Sequence, residues 1–202
     1  MSEHKKLSIQ EMNRLTTEAF HTARKLPFAV VLDNVRSRHN VGAVFRTADA
    51  FRMERVYLCG ITGCPPDPEI HKTALGAELS MDWSYHKDTM DAVRLLHEAG
   101  YRVYAIEQAE GSVTLEEFMG YGLRGTGYGV QVTGYGGQVT GKGIAVILGH
   151  EVFGVQQAVI DACDGCIEIP QYGTKHSLNV SVTAGIVLYT IATKLISTNP
   201  DL

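Results

Sequence analysis

Cysteine is scarce in this chain, four in 202 residues, as are proline, with six, and tryptophan, with one. So few cysteines exclude a disulfide-built scaffold, and so little proline excludes a collagen-like chain. Long apolar runs are also missing. The longest uncharged stretch of interest, residues 177–193, includes Asn179, two serines and three threonines. At 17 residues it reads as too short and too polar to span a bilayer, and a helix buried in a core or an interface is expected instead. The start, Met1-Ser2-Glu3-His4-Lys5-Lys6, leads into an amphipathic segment rather than an apolar one. No signal peptide is expected, and the protein is expected to be soluble and cytoplasmic. An excess of positive charge is absent too. At a net −4 the molecule as a whole is no polycation that gathers nucleic acid by bulk attraction.

What is present is ordinary for a globular chain: 45% hydrophobic and 20% charged residues, which excludes disorder throughout. The length suits one domain with a short appendage. The charge is uneven. Residues 1–55 carry ten Lys or Arg against six Asp or Glu, and residues 56–202 carry eight against sixteen. A basic first quarter on an acidic body points to a local anionic partner, though a solvated surface helix explains it equally. The cysteines stand at 59, 64, 163 and 166. Cys163 and Cys166 have C-x-x-C spacing, and Cys59 with Cys64 would complete a zinc set. However, Cys59 ends a strand-like run and Cys163 a helix-like run, so buried free thiols are expected and no metal.

Hydrophobic patterning predicts an alternation of buried strands and helices. Ser8-Ile9-Gln10-Glu11 is a capping box, predicted to open a helix over 8–25. Apolar runs at 28–32, 56–59, 102–106, 144–148 and 166–169 read as strands. Asn40 is expected to cap a helix with Val41, Val44, Phe45 and Ala48 on its core face, and Asp88 to cap another that stops at Gly100. A further helix is expected near 155–162, and a long last one from about Ser177. Such alternation means an α/β protein with a parallel sheet covered by helices on both faces. Its ligands belong at the carboxyl ends of the strands, after Leu32, Ile106, Leu148 and Ile169.

Residues 120–143 hold ten of the 21 glycines and three copies of a short repeat. A hairpin-like loop is expected there. Two phosphate-loop patterns inside it are discounted. The G-x-G-x-x-G at 120–125 joins no strand to a helix, and the G-x-x-x-x-G-K ending at Lys142 is followed by Gly143 and a strand.

Three other segments carry chemistry. Within 40–48, Gly42 in a first helical turn costs about 1 kcal/mol against alanine, so something is expected to approach its backbone closely. Arg46 lies off the apolar face of that helix. Gly149-His150-Glu151-Val152-Phe153-Gly154 follows a buried strand and puts Glu151 where such sheets keep ligands. The segment from Ile169-Pro170 to Ser177-Leu178-Asn179-Val180-Ser181-Val182 joins a strand to the last helix. Ser177 would serve as a helix cap, but a polar Ser-x-Asn on an apolar helix suggests side chains that face a site.

In order, these segments resemble the N-x-G-x-x-x-R-x-A, G-x-E-x-x-G and I-P…S-L-N-V-S-V-A motifs of the SpoU (TrmH-type) RNA 2′-O-ribose methyltransferases, of the SPOUT class. Thr183 stands where the family has alanine, and 120–143 looks like an insertion. The resemblance implies a domain over 28–202 behind a short basic helical extension at 1–27. It also implies a deep C-terminal trefoil knot and a homodimer. S-adenosylmethionine would bind near Ile106, Gly149, Ile169 and Leu178. Arg46 would hold a phosphate and help activate the ribose hydroxyl, Asn40 would position the RNA or the Arg46 loop, Glu151 would orient Arg46, and Ser177 with Asn179 would complete the pocket. Lys5, Lys6, Arg14, Arg24, Lys25, Arg36 and Arg38 would contact phosphates. No separate RNA-binding domain is expected before Phe28, and tRNA is preferred to rRNA as substrate. Two other readings stay open. One is a dinucleotide-binding oxidoreductase, which would need a glycine fingerprint after the first strand, where Asp33-Asn34-Val35 stands. The other is a knotted RNA-binding protein without catalysis.

Overall fold

The computed structural model describes residues 4–8, 10–120, 124–126, 129–133 and 138–198. Its strands are β1 (Leu26–Asp33), β2 (Met53–Cys59), β3 (Trp83–His86), β4 (Tyr101–Ile106), β5 (Val113–Thr114), β6 (Arg124–Thr126), β7 (Gly129–Thr133), β8 (Gln138–Gly141), β9 (Gly143–Leu148) and β10 (Gly165–Glu168). Its helices are α1 (Thr17–Thr22), α2 (Arg38–Ala50), α3 (Pro68–Ala74), α4 (Ala77–Ser80), α5 (Thr89–Glu98), α6 (Leu115–Gly120), α7 (Gln157–Ala162) and α8 (Val180–Thr198).

Seven strands form one parallel sheet in the order β3-β2-β1-β9-β4-β10-β5. Alternation along the strands sorts the core into two layers. Phe28, Val30 and Leu32 face a layer built with α2, α3 and α8. Ala29 and Val31 face the opposite layer, with Ala92, Val93 and Leu96 of α5 and Val159 of α7. Both faces are covered, so the central strands are apolar throughout. Asp33, at the carboxyl end of β1, is fully buried and accepts from Asn34 Nδ2, Thr89 Oγ1, Gln156 N and Gln156 Nε2.

Three local expectations are corrected. The capping box forms, with Ser8 N donating to Glu11 Oε2 at 2.8 Å and Glu11 N to Ser8 Oγ at 3.3 Å. It closes only a turn, because Asn13 takes a left-handed backbone at φ 47°, and the helix proper is α1, capped by Thr16. Helix α2 is capped by Ser37, whose hydroxyl accepts from Asn40 N, so Asn40 lies inside the first turn. Helix α8 starts at Val180, not near Ser177.

Helix α8 also runs to 19 residues, and by length and composition it is apolar enough to cross a membrane, contrary to the expectation from 177–193. Its inner face is packed into the domain: Ala184, Val187, Leu188, Ile191, Ala192 and Leu195 are fully buried. The described part of the glycine-rich stretch forms an antiparallel three-stranded sheet, β6-β7-β8, with β6 against α8. Parts of the repeat and of the discounted phosphate-loop patterns lie outside the described residues. Lys142 is engaged elsewhere, with its Nζ 3.3 Å from Glu54 Oε1.

The close approach expected at Gly42 is made by α3. A Cβ there would sit 2.2 Å from both Ile70 O and Thr73 Oγ1. Gly42 therefore lets two helices touch rather than admitting a ligand.

Candidate active site

A cleft of about 260 Å³ opens at the carboxyl end of the sheet. Ile106 at the end of β4, Gly149 after β9, and Ile169 and Leu178 after β10 all line it, with Ser177 and Glu151 beside them. All four expected cofactor positions thus meet in one place. The turn after β1 does not line it. Asn40, Arg46 and Asn179 do not line it either.

Glycine at 149 and 154 is required by the shape of the second motif. His150 and Gly154 bridge each other through two backbone hydrogen bonds, His150 N to Gly154 O at 3.0 Å and Gly154 N to His150 O at 2.8 Å. A Cβ on Gly149 would lie 2.1 Å from Gly154 C and 2.2 Å from Val155 N. Gly154 has φ +66°, and a Cβ there would meet Glu107 Oε2 at 2.0 Å. The Glu107 carboxylate accepts from Val155 N at 3.0 Å and Gln108 N at 2.9 Å, so it binds the turn to the end of β4.

Glu151 sits within this turn and reaches the start of α2. Its Oε2 accepts from Arg36 N at 2.9 Å, and its Oε1 from Ser37 N at 2.8 Å and Asn40 Nδ2 at 3.0 Å. Helix α2 has no acidic residue in its own first turn, and Glu151 supplies the negative charge its N-terminus favours. Partial burial raises the Glu151 pKa, but the Arg36 and Ser37 amides and the Asn40 amide outweigh it and hold the carboxyl below its usual range. Within one chain, then, Glu151 binds the start of α2 rather than Arg46. It positions the helix that carries Arg46.

Asn40 joins all three motifs. It is 8% exposed, donates to Glu151, and accepts from Asn179 Nδ2 at 3.3 Å. Within one chain its amide therefore positions motif segments. Asn179 in turn caps α8. Its Oδ1 accepts from Ser181 N at 2.9 Å and its carbonyl from Thr183 N at 2.9 Å. The polar Ser-x-Asn is therefore split: Ser177 faces the cleft, while Asn179 caps the helix and holds Asn40.

Arg46 is exposed in a second, open hollow with Lys72, Gly185 and Tyr189. No ion pair or hydrogen bond of its guanidinium is found among the described residues. In one chain it is not part of the first cleft.

Residues near the cleft that sequence reasoning missed are Glu107, Gln108 and Glu168. Gln108 Nε2 donates to His176 O at 3.0 Å and so ties the loop after β4 to the third motif. The available signal was a run of polar residues immediately after a buried strand. With Glu151, the cleft has three carboxylates and no lysine or arginine in its lining among the described residues. A polyphosphate would be repelled there, whereas a neutral adenosine body with a cationic centre is accommodated. This disfavours a dinucleotide and fits the sulfonium and ammonium charges of S-adenosylmethionine.

Comparison with known proteins agrees. A model of the SpoU rRNA Methylase family matches residues 27–189. The chain belongs to the SpoU rRNA Methylase family. This SpoU chain is 31% identical over 179 residues to the tRNA (guanosine(18)-2′-O)-methyltransferase of Thermus thermophilus, covering 89% of this chain and 81% of that one. It is also 31% identical over 160 residues to the 23S rRNA (guanosine-2′-O-)-methyltransferase RlmB of Nitrosomonas europaea, covering 79% of this chain and 54% of that one. The chain thus spans about half the length of that rRNA enzyme. Among solved structures, the AdoMet-bound rRNA methyltransferase from Sinorhizobium meliloti superposes with a TM-score of 0.68 at 26% identity, over 84% of this chain and 57% of that one. SpoU membership makes the chain an RNA methyltransferase that takes its methyl group from S-adenosylmethionine.

The cysteines are not arranged as a metal set. All four are free, and among the described residues no group of three or more His, Cys, Asp and Glu side chains is placed to hold a metal ion. Burial pushes the Cys59 and Cys163 thiols up to about 12 and the Cys166 thiol to about 11, far from thiolate chemistry.

Proposed function

We propose that this enzyme methylates a ribose 2′-hydroxyl of tRNA, acting as a cytoplasmic homodimer, with rRNA the other substrate class. The observation that carries the reading is the strand-end cleft: segments of the second and third motifs line it, with three carboxylates and, among the described residues, no lysine or arginine. Ile106, Leu148, Ile169 and Leu178 offer apolar walls to an adenosine, and main chain at Gly149 offers polar contacts. Bound there, S-adenosylmethionine supplies an already electrophilic methyl group.

The chain's remaining task concerns the nucleophile, since a ribose hydroxyl is a weak acid. It must be aligned with the methyl and its developing negative charge stabilised. Arg46 is suited to the second role. A guanidinium stays protonated, so it acts on an adjoining phosphate and on the alkoxide electrostatically and does not take the proton. Glu151 and Asn40 fix the helix on which it stands.

Arg46 lies outside the cleft of its own chain, beside α8. That helix exposes Val182 at 49%, Ile186 at 38% and Tyr189 at 58%. An apolar stripe flanking an arginine that has no partner among the described residues supports a dimer in which each Arg46 completes the partner's cleft. A C-terminal knot is supported by strand order. Strand β10 lies between β4 and β5, so the link from β4 to β5 must pass across it. The thiols, Cys59 and Cys166 buried and all four free, suit a reducing compartment. Residues 1–27 are read as an extension and 120–143 as an insertion on the shared domain. In the extension, Lys5 is paired with Glu11 and Lys25 lies over the Phe20 ring, and at the start of α2 Arg38 is paired with Asp67. Phosphate contact at those positions would replace these bonds.

The test is incubation with methyl-labelled S-adenosylmethionine and, separately, unmodified tRNA and rRNA transcripts, followed by nucleoside mapping. Label is expected in a 2′-O-methylnucleoside from tRNA, and label on a base, or none, would refute the reading. Arg46→Ala is expected to abolish transfer and leave binding of S-adenosylhomocysteine intact by calorimetry.

A further inference from the structure

Phe153 is 83% exposed, among the most exposed large apolar side chains described, yet it lines the cleft. Its neighbour Val152 is 69% exposed. An apolar ring held in water at the lip of a binding site stabilises nothing in the fold. The backbone that carries it is held in place. The His150 ring lies 4.9 Å from the Phe153 ring, centroid to centroid, at 35° between planes. His150 Nδ1 accepts from Val152 N at 3.0 Å and Phe153 N at 3.4 Å, which shapes the tip of the turn. The His150–Gly154 bridge closes the turn, and Glu151 anchors it to α2. The result is a solvent-facing aromatic surface on a closed turn, beside the cleft.

What can lie on it is limited by charge. The neighbouring Glu107, Glu151 and Glu168 carboxylates repel phosphate, and among the described residues no lysine or arginine lines the cleft to offset them. The part of an RNA nucleotide that suits this lip is its neutral, planar base. An aromatic side chain gives such a base a stacking partner without regard to its identity.

We propose that Phe153, backed by the His150 ring, is the stacking platform for the base of the nucleotide whose ribose is methylated. This rests on the RNA-methylation reading above. The platform holds the base, and through it sets the angle at which the 2′-oxygen meets the methyl group. Selection of one base over another must come from other contacts.

The test compares Phe153→Ala, Phe153→Leu and Phe153→Tyr with the wild type on unmodified tRNA transcripts. Loss of one base stack weakens binding by about tenfold. Alanine and leucine are therefore expected to raise the KM for RNA about tenfold, and tyrosine to restore it. Because the side chain is exposed, folding is not at stake. S-adenosylmethionine affinity, measured by calorimetry without RNA, should be unchanged. An active wild type with alanine and leucine variants of equal KM would overturn the platform alone. Weakened cofactor affinity would instead make Phe153 a lid on the adenosine, and a changed dimer mass by light scattering would make it an interface residue; either result overturns the proposal. A wild type that methylates no RNA would overturn the functional reading and the platform together.

Discussion

Replacing Glu151 by glutamine removes one charge and one acceptor from a site where three N–H groups converge. In the native site, one carboxylate oxygen accepts from Arg36 N and the other from Ser37 N and Asn40 Nδ2. A glutamine keeps a single acceptor, and its own NH₂ must face at least one of those donors. A hydrogen bond to a charged group contributes about 1.5–3 kcal/mol, and a stranded buried donor costs a comparable amount. The site is partly open to water, which reduces both, so the loss is set at about 2 kcal/mol. For a domain of this size that corresponds to a Tm lower by about 4–8 °C at pH 7. The pH dependence has a definite sign. The folded Glu151 pKa lies below its ordinary value of 4.5, so the carboxylate's stabilisation is complete above that value and fades as pH falls through the folded pKa. The difference between the wild type and Glu151→Gln should therefore shrink as pH falls below 4.5 and the wild-type carboxylate's advantage fades. Urea unfolding at pH 7 and at pH 3.5, at matched protein concentration, measures both quantities. Equal stability at pH 7, or a difference that does not change with pH, would refute the assignment of Glu151 as an ionised anchor of α2.

Helix propensity alone says Gly42→Ala should stabilise by about 1 kcal/mol. The 2.2 Å approach of Ile70 O and Thr73 Oγ1 says it should instead destabilise by about 1–3 kcal/mol through overpacking, and the sign of the Tm shift decides between the two. Gly149→Ala has no flexible neighbour to move, since its Cβ would press on the backbone of Gly154 and Val155. Loss of S-adenosylhomocysteine binding by calorimetry is expected in a protein that still folds by circular dichroism. Deleting residues 126–139 should leave a soluble protein that binds S-adenosylhomocysteine. An insoluble product would show that the three-stranded sheet against α8 is structural.

The parallel α/β architecture was legible in the sequence because strands covered on both faces must be apolar at every position. The run from Phe28 to Leu32 could hardly be anything else, and the structure buries all five side chains. The four cofactor positions came from the family resemblance, and three of them, Ile106, Gly149 and Ile169, also stand at or just beyond the carboxyl ends of buried strands, where a doubly covered sheet binds its ligands. Short elements were not legible. Strand β5 has two residues and α4 has four, too few to show a period, and they exist because neighbours hold them. Side-chain roles were the least legible. The sequence alone determined which residue types stood near the cleft, because local pattern places each strand end and hence the residues just beyond it. Only the tertiary structure decided that Asn40 ties Glu151 to Asn179, that Gly42 serves α3, and that Arg46 faces away from its own chain's cleft. Each depends on a contact between segments 30 to 140 residues apart, whose geometry no local pattern encodes.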